Sequence, residues 1–271
     1  MPSRAVVGAS PTTLLWCNKR SISARRRNGN ARRMRSPESE FTSRAPSYDA
    51  SVAAVSNSAS FRHRPMFVKI CGIMNQVDAE LAIAAGADAL GFNFWPGSRR
   101  YLEPAKAAGW IRKLPDTVIR VGVVVNPTEL YAATIAAVDG IDLLQLHGTE
   151  SSEFCLNLVE ARIPIWKAIP MTGPETRLPD YHAERILLDT VTEGRFGGTG
   201  VQFHWSWARD LINANPILEL ILAGGLTPEN VGRAITESRP FGVDVASGVE
   251  GRSGRKDIYR VRDFIAAARS A

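Results

Sequence analysis

Four short runs place a charged or proton-active side chain among or directly after apolar residues. They are Phe67 to Cys71 with Lys69, Leu143 to His147 with Gln145, Ile186 to Asp189, and Gly242 to Val245 with Asp244. In an extended chain alternate residues share a face. Lys69 then pairs with Cys71, Gln145 with His147, Lys167 with Ile169 in the further apolar run 165–169, and Asp244 with Ala246, and each of these faces is expected to point into the mouth of the fold. A buried lysine, cysteine and aspartate are costly unless they satisfy one another or serve chemistry. The chemistry open to them is proton transfer. Beside the Lys69 ammonium, Cys71 gains thiolate character and becomes a base or nucleophile; the alternative is a small inert core residue. Asp189 is either the cap of the next segment or a general acid/base, and the glycine-rich residues after it weaken the cap reading. Cys155, inside the helical pattern around Phe154 and Leu156, reads as core.

Other residues suit a ligand. Gly224-Gly225 and Ser247-Gly248 each follow an apolar run, and paired glycine turns let backbone N–H groups approach phosphate oxygens. Arg100 could clamp a carboxylate with its planar fork, and of the adjacent pair Arg99 and Arg100 one is expected to be solvated. The run Gly194 to Gly200 lacks the GxxxxGK[ST] lysine and does not turn straight into a helix, which excludes a Walker A or dinucleotide fingerprint. A lid over a site is the reading it supports.

The elements that must hold these residues alternate in kind. Eight apolar runs read as strands: 67–71, 89–94, 119–125, 143–146, 165–169, 186–189, 220–223 and 242–245. Between them lie helical patterns at 77–85, 104–113, 128–137, 152–161, 228–236 and 258–268, with a weak one at 175–181 broken by Pro174 and Pro179. Eight strand–helix repeats in about 200 residues predict a (β/α)8 barrel. Such barrels build their sites at the C-terminal strand ends, where the polar residues above fall.

The 271 residues are 45% hydrophobic and 22% charged, a globular composition with no apolar stretch long enough to span a bilayer. The three cysteines Cys17, Cys71 and Cys155 are too scattered for a disulfide framework or a zinc site. The net charge of +6 is misleading. Of 33 basic residues 12 lie in residues 1–65, against 3 of the 27 acids, so residues 66–271 carry a net charge of −3. Residues 1–65 also hold 12 serines and no sustained periodicity, and read as a disordered extension to a catalytic domain at 66–271. Three accounts fit it: a transit peptide, a nucleic-acid tail, or a passive extension upstream of Met66. The Arg25 to Arg27 run lacks interleaved aromatics, which disfavours nucleic acid. A cytoplasmic location is expected, with a plastid as the alternative if the extension is a transit peptide.

Taken in order, eight motifs across 66–271 resemble one family. They are Val68 to Ile73; Gly91-Phe92 with Ser98 to Arg100; Gln145 to Gly148; Leu187 to Asp189; Gly197 to Gly200; Leu222 to Leu226 with Pro228 to Val231; Val243 to Val245; and Ser247 to Glu250. Together they closely resemble phosphoribosylanthranilate isomerase of tryptophan biosynthesis. The resemblance implies a cofactor-free and metal-free Amadori rearrangement of a small phosphorylated substrate, in a monomer or homodimer. It implies Asp189 as the general acid that opens the ribose ring and Cys71 as the base at C2. Arg100 would grip the anthranilate carboxylate, and Asp244 would lie near the sugar hydroxyls. Gln145, His147, Gly224, Gly225, Ser247 and Gly248 complete the expected substrate site. Two positions depart from the family: Ala246 stands where a serine is usual, and His204 where an aspartate commonly precedes Trp205. The histidine-pathway isomerase is the nearer rival but uses an aspartate at the Cys71 position. Indole-glycerol-phosphate synthase would need a strand-end lysine and glutamate that do not assemble here.

Overall fold

The computed structural model describes residues 65–190 and 204–271. The expected N-terminal extension, apart from Pro65, and the Gly194–Gly200 run expected as a lid lie outside the described residues. Within them eight parallel strands close into a barrel: β1 (Phe67–Cys71), β2 (Ala89–Asn93), β3 (Ile119–Val124), β4 (Leu143–Leu146), β5 (Ile165–Met171), β6 (Arg185–Thr190), β7 (Glu219–Leu222) and β8 (Gly242–Val245). β8 pairs with β1, Lys69 opposite Asp244, which closes the ring. Around it stand α1 (Gln76–Ala84), α2 (Pro104–Ile111), α3 (Glu129–Ala136), α4 (Ser152–Glu160), α5 (Trp205–Ala214), α6 (Val231–Ser238) and α7 (Ile258–Arg269). This is the (β/α)8 barrel expected from the alternation of apolar runs and helical patterns. No helix of the described residues is long and apolar enough to cross a membrane.

Helix starts follow from side chains that accept the otherwise unpaired N–H groups of a first turn. Asn75, Thr128, Ser151 and Asp257 do so for α1, α3, α4 and α7. Three elements differ from the sequence expectation. Residues 172–184 form no helix, only a turn closed by Thr176 N–H on the Gly173 carbonyl; prolines 174 and 179 withhold the donors a helix needs. α6 begins at Val231 rather than Pro228. Asn230 accepts from the Thr227 N–H and donates to the Gly225 carbonyl, tying these residues into a turn. α5 is an addition, and buries Trp205, Ala208 and Leu211, spaced three apart along one face.

Two apolar layers position the site. The larger lies between barrel and helices. The smaller fills the barrel below the mouth with Ala89, Val121, Leu143, Trp166, Ala168, Leu187 and Ile221. The Arg185 guanidinium closes its lower end, stacked 4.5 to 4.9 Å from the rings of Phe67, Trp166 and Phe241 and paired with Glu219 at 2.6 Å. Above that plug three inward faces turn polar toward the C-terminal end: Phe67 gives way to Lys69 and Cys71, Leu143 to Gln145 and His147, Leu187 to Asp189.

β5 overturns one expectation. Trp166 and Ala168 face the barrel interior, so Lys167 and Ile169 point outward. The indole supplies the volume that the interior requires, which fixes the parity of the strand. Lys167 is instead buried behind β5. It pairs with Glu150 at 2.9 Å and donates to the carbonyls of Gly148 and Ala168. Glu150 in turn accepts from the N–H groups of Asn126 and Gly148, so the pair secures the loop that carries His147.

Candidate active site

The upward-facing side chains of β1, β4, β6 and β8 converge on one cleft at the C-terminal mouth. Cys71, Arg100, His147, Asp189, Gly224, Gly225, Asp244, Ser247 and Gly248 all line it. Of the residues expected there, Gln145 alone stays below the floor, fully buried. Its Nε2 lies 2.7 Å from His147 Nδ1, and its Oε1 has no hydrogen-bond partner among the described residues.

Lys69 is fully buried, with Nζ 2.8 Å from Asp244 Oδ1. Burial alone would depress the ammonium, but the charges of Asp244 and Cys71 raise it above its ordinary value. Cys71 keeps a face toward the cleft, yet burial pushes its thiol up. The Lys69 ammonium works in the opposite direction and is outweighed, Asp244 adding to the upward push. Lys69 does favour the thiolate, as expected, but burial outweighs it and the net shift is toward the thiol. Gly91 on β2 makes room for both groups, since a Cβ there would sit 2.6 Å from the Cys71 sulfur and 3.1 Å from Lys69 Nζ.

Asp189 ends β6 nearly buried. Oδ2 lies 2.9 Å from His147 Nε2, and Oδ1 accepts the Thr190 N–H. With the Gln145 amide donating to Nδ1, the imidazole carries its proton on Nε2 and donates it to Asp189. Gln145, His147 and Asp189 thus form a chain that ends in a carboxylate at the cleft. Asp189 caps no helix N-terminus among the described residues. It and Cys71 stand three strands apart around the ring, separated enough to reach different atoms of one ligand.

The glycine turns are packed backbone on backbone. Gly224 has φ +80°, and a Cβ there would meet Thr190 Oγ1 at 2.0 Å; a Cβ on Gly248 would meet the Leu226 carbonyl at 1.9 Å. Only glycine allows both approaches. On the facing wall the two arginines divide as expected. Arg99 is largely exposed, while Arg100 is nearly buried against the cleft.

A feature that local sequence did not reveal adjoins Arg100. The buried Glu250 carboxylate accepts from Arg100 Nε at 2.5 Å and Nη2 at 2.9 Å, from Arg99 at 2.9 Å and from Lys256 at 3.1 Å. Burial would raise Glu250, but the Arg100 hydrogen bond and the Lys256 and Arg100 charges hold it below the usual carboxylate range. Burial also pulls Lys256 below its ordinary value, against the attraction of Glu250. The only sequence signal was an acid beside glycine in a mouth loop, which names no partner.

The match to a family model decides the lineage. Residues 68–267 match the model described as N-(5'phosphoribosyl)anthranilate (PRA) isomerase. The chain belongs to the PRA isomerase family. A relative named N-(5'-phosphoribosyl)anthranilate isomerase, from Geobacter sp. (strain M21), is 45% identical over 204 residues, covering 74% of this chain and 97% of that protein. Among solved members of the family, phosphoribosyl anthranilate isomerase in complex with reduced 1-(o-carboxyphenylamino)-1-deoxyribulose 5-phosphate superposes with TM-score 0.64 at 38% identity. It covers 76% of this chain and 100% of that one. Generated monomers of the dimeric enzyme from Thermotoga maritima give TM-score 0.65 at 39% identity, with the same coverage.

Proposed function

We propose that this chain catalyses the Amadori rearrangement of N-(5-phosphoribosyl)anthranilate to 1-(o-carboxyphenylamino)-1-deoxyribulose 5-phosphate, a step of tryptophan biosynthesis, with Asp189 as acid and Cys71 as base. The single observation that carries the residue roles is that both groups line one cleft three strands apart. The carboxylate clamp and the glycine turns line the same cleft.

Asp189 gives a proton to the ribose ring oxygen. The C1–O bond breaks, and the anthranilate nitrogen lone pair forms the C1=N bond of a protonated Schiff base. The Cys71 thiolate then removes the C2 proton, and the C2–H electron pair neutralises the iminium to an enolamine. In the last tautomerisation C1 gains a proton and the C2 hydroxyl gives one up, so reactant and product have the same atoms and no cofactor or metal is called for. The N–H of His147 Nε2 holds the Asp189 carboxyl in place beside the cleft. Asp244 takes the sugar hydroxyls. Arg100 takes the ring carboxylate, and the turns at Gly224-Gly225 and Ser247-Gly248 take the phosphate. Each well-placed proton transfer contributes roughly 10² to 10⁴ in rate.

Fluorescence-monitored turnover of freshly prepared phosphoribosylanthranilate by the purified chain tests the activity. Asp189→Asn tests the acid: the amide keeps the shape without a deliverable proton, and turnover should fall at least 10²-fold. Undiminished turnover in that variant would remove Asp189 from the mechanism. The extension at 1–65 we assign no part in the chemistry. The enzyme is placed in the cytoplasm, or in a plastid if that extension proves to be a transit peptide; a fluorescent fusion of the full chain distinguishes the two.

A further inference from the structure

A guanidinium offers two planar forks, one along the Nε/Nη2 edge and one at the Nη1/Nη2 end. In this structure Glu250 occupies the first, with Oε1 on Nε and Oε2 on Nη2. Among the described residues the end fork remains for the cleft that Arg100 lines. The stem is held as well. Gly72 has φ +76°, and a Cβ on it would lie 2.3 Å from Arg100 Cδ, so the stem rests directly on the backbone after β1. We propose that Glu250, sharing its Oε1 between Arg100 and Lys256, is a positioning residue that aims the free fork of Arg100 at the substrate carboxylate and sets the preference for a carboxylate-bearing aryl group. The proposal rests on the isomerase reading and on Arg100 as the clamp.

The charges around Glu250 do not cancel. A single Arg–Glu pair is neutral and would attract an anion weakly. Here one buried carboxylate is shared by Arg100, Arg99 and Lys256, so the cluster carries more cations than anions beside the cleft. Lys256 is anchored independently by donating to the Ala246 carbonyl at 2.9 Å, at the end of β8. Lys256 shares Glu250 Oε1 with Arg100 Nε and so draws on the same negative charge. Arg100 is left oriented by Glu250 without being neutralised by it.

The test compares two ligands: reduced 1-(o-carboxyphenylamino)-1-deoxyribulose 5-phosphate and its phenylamino analogue lacking the carboxylate. Binding of each is measured by titration calorimetry to the full chain and to Arg100→Lys, Glu250→Gln and Lys256→Met, with folding checked by circular dichroism. The quantity read is the ratio of the two dissociation constants. Glu250→Gln should lower the carboxylate preference roughly tenfold, the order expected when a charge-assisted hydrogen bond loses its geometry. Binding of the phenylamino analogue should stay unchanged, and kcat should fall less than KM rises. Lys256→Met should lower the same ratio, and it supplies the answer should Glu250→Gln fail to fold. Equal losses for both ligands in Glu250→Gln or Lys256→Met would show a merely structural role and overturn the proposal. If Arg100→Lys loses the preference while both other variants keep it, the clamp stands and the proposal falls. If Arg100→Lys keeps the preference, the clamp lies elsewhere, and the proposal falls with that part of the functional reading.

Discussion

At the scale of the residue, Cys71 poses a conflict between what a base needs and what burial permits. The thiolate is the form that can take a proton, but the buried setting favours the thiol over the ordinary value of 9.0. Lys69 is raised and moves away from this range, whereas burial lowers Lys256 toward it, so a basic limb that persists in Lys256→Met belongs to the thiol. We expect kcat/KM to keep climbing as the pH approaches and passes 9.0, because deprotonation creates the active form. A plateau reached already near neutrality would show that a different group is the base. Cys71→Ser should abolish turnover with the fold intact, the hydroxyl being a far weaker base of similar size, and near-normal activity in that variant would remove Cys71 from the mechanism.

At the scale of the element, the turns after β7 and β8 are the decisive contact. They touch through backbone, with no side chain whose deletion would separate phosphate binding from packing. Adding charge is the better probe. Gly225 has φ +64°, so any side chain there strains the backbone as well. Ser247→Asp avoids that strain and places a carboxylate at the same turn. Binding of the reduced phosphorylated product analogue should collapse while circular dichroism is unchanged; wild-type affinity would place the phosphate elsewhere.

A second element contact ties α1 to the loop after β8. Asp78 accepts from Arg255 at 2.8 Å, from Asn75 at 2.8 Å and from the Lys256 N–H at 3.3 Å. Burial works to raise its carboxyl, but these hydrogen bonds hold it below 3.8. A depressed folded pKa stabilises above the unfolded value and loses that contribution as pH falls through the folded one. Asp78→Asn should therefore cost about 1–3 kcal/mol in urea unfolding at neutral pH. The difference from wild type should shrink only below pH 3.8. A difference that persists unchanged in acid would mean that shape, not charge, makes the contact.

At the scale of the whole molecule, β1 to β8 of this chain close the ring on which the cleft opens, and we expect the site to work within one chain. Specific activity should not change on dilution, and analytical ultracentrifugation at the assay concentration would show whether that holds for monomers. Residues 66–271 span the whole length that matches the family model. That fragment alone should turn over phosphoribosylanthranilate as fast as the full chain. A loss of activity on truncation would give the extension a role in folding or catalysis.

What the sequence alone determined is what local pattern can encode. Alternation in β1, β4 and β8 placed Cys71, His147 and Asp244 on inward faces, because apolar residues fill one parity below them and polar ones follow above. Asp189 was legible from its position after three apolar residues, and the glycine turns from their place after β7 and β8. β5 was not legible, since its alternating residues include Trp166 on one parity and Lys167 on the other. Only the volume of the barrel interior, and a distant Glu150 to receive the lysine, decide which goes in. α5 was obscured by the glycine-rich run before it. The upward shift of Cys71 comes first from burial in the closed barrel, the Lys69–Asp244 pair joins residues 175 apart, and the grip of Glu250 on Arg100 joins residues 150 apart. Such contacts arise when the ring closes β8 onto β1. Local pattern sets which residues point inward, and closure of the barrel sets what they meet there.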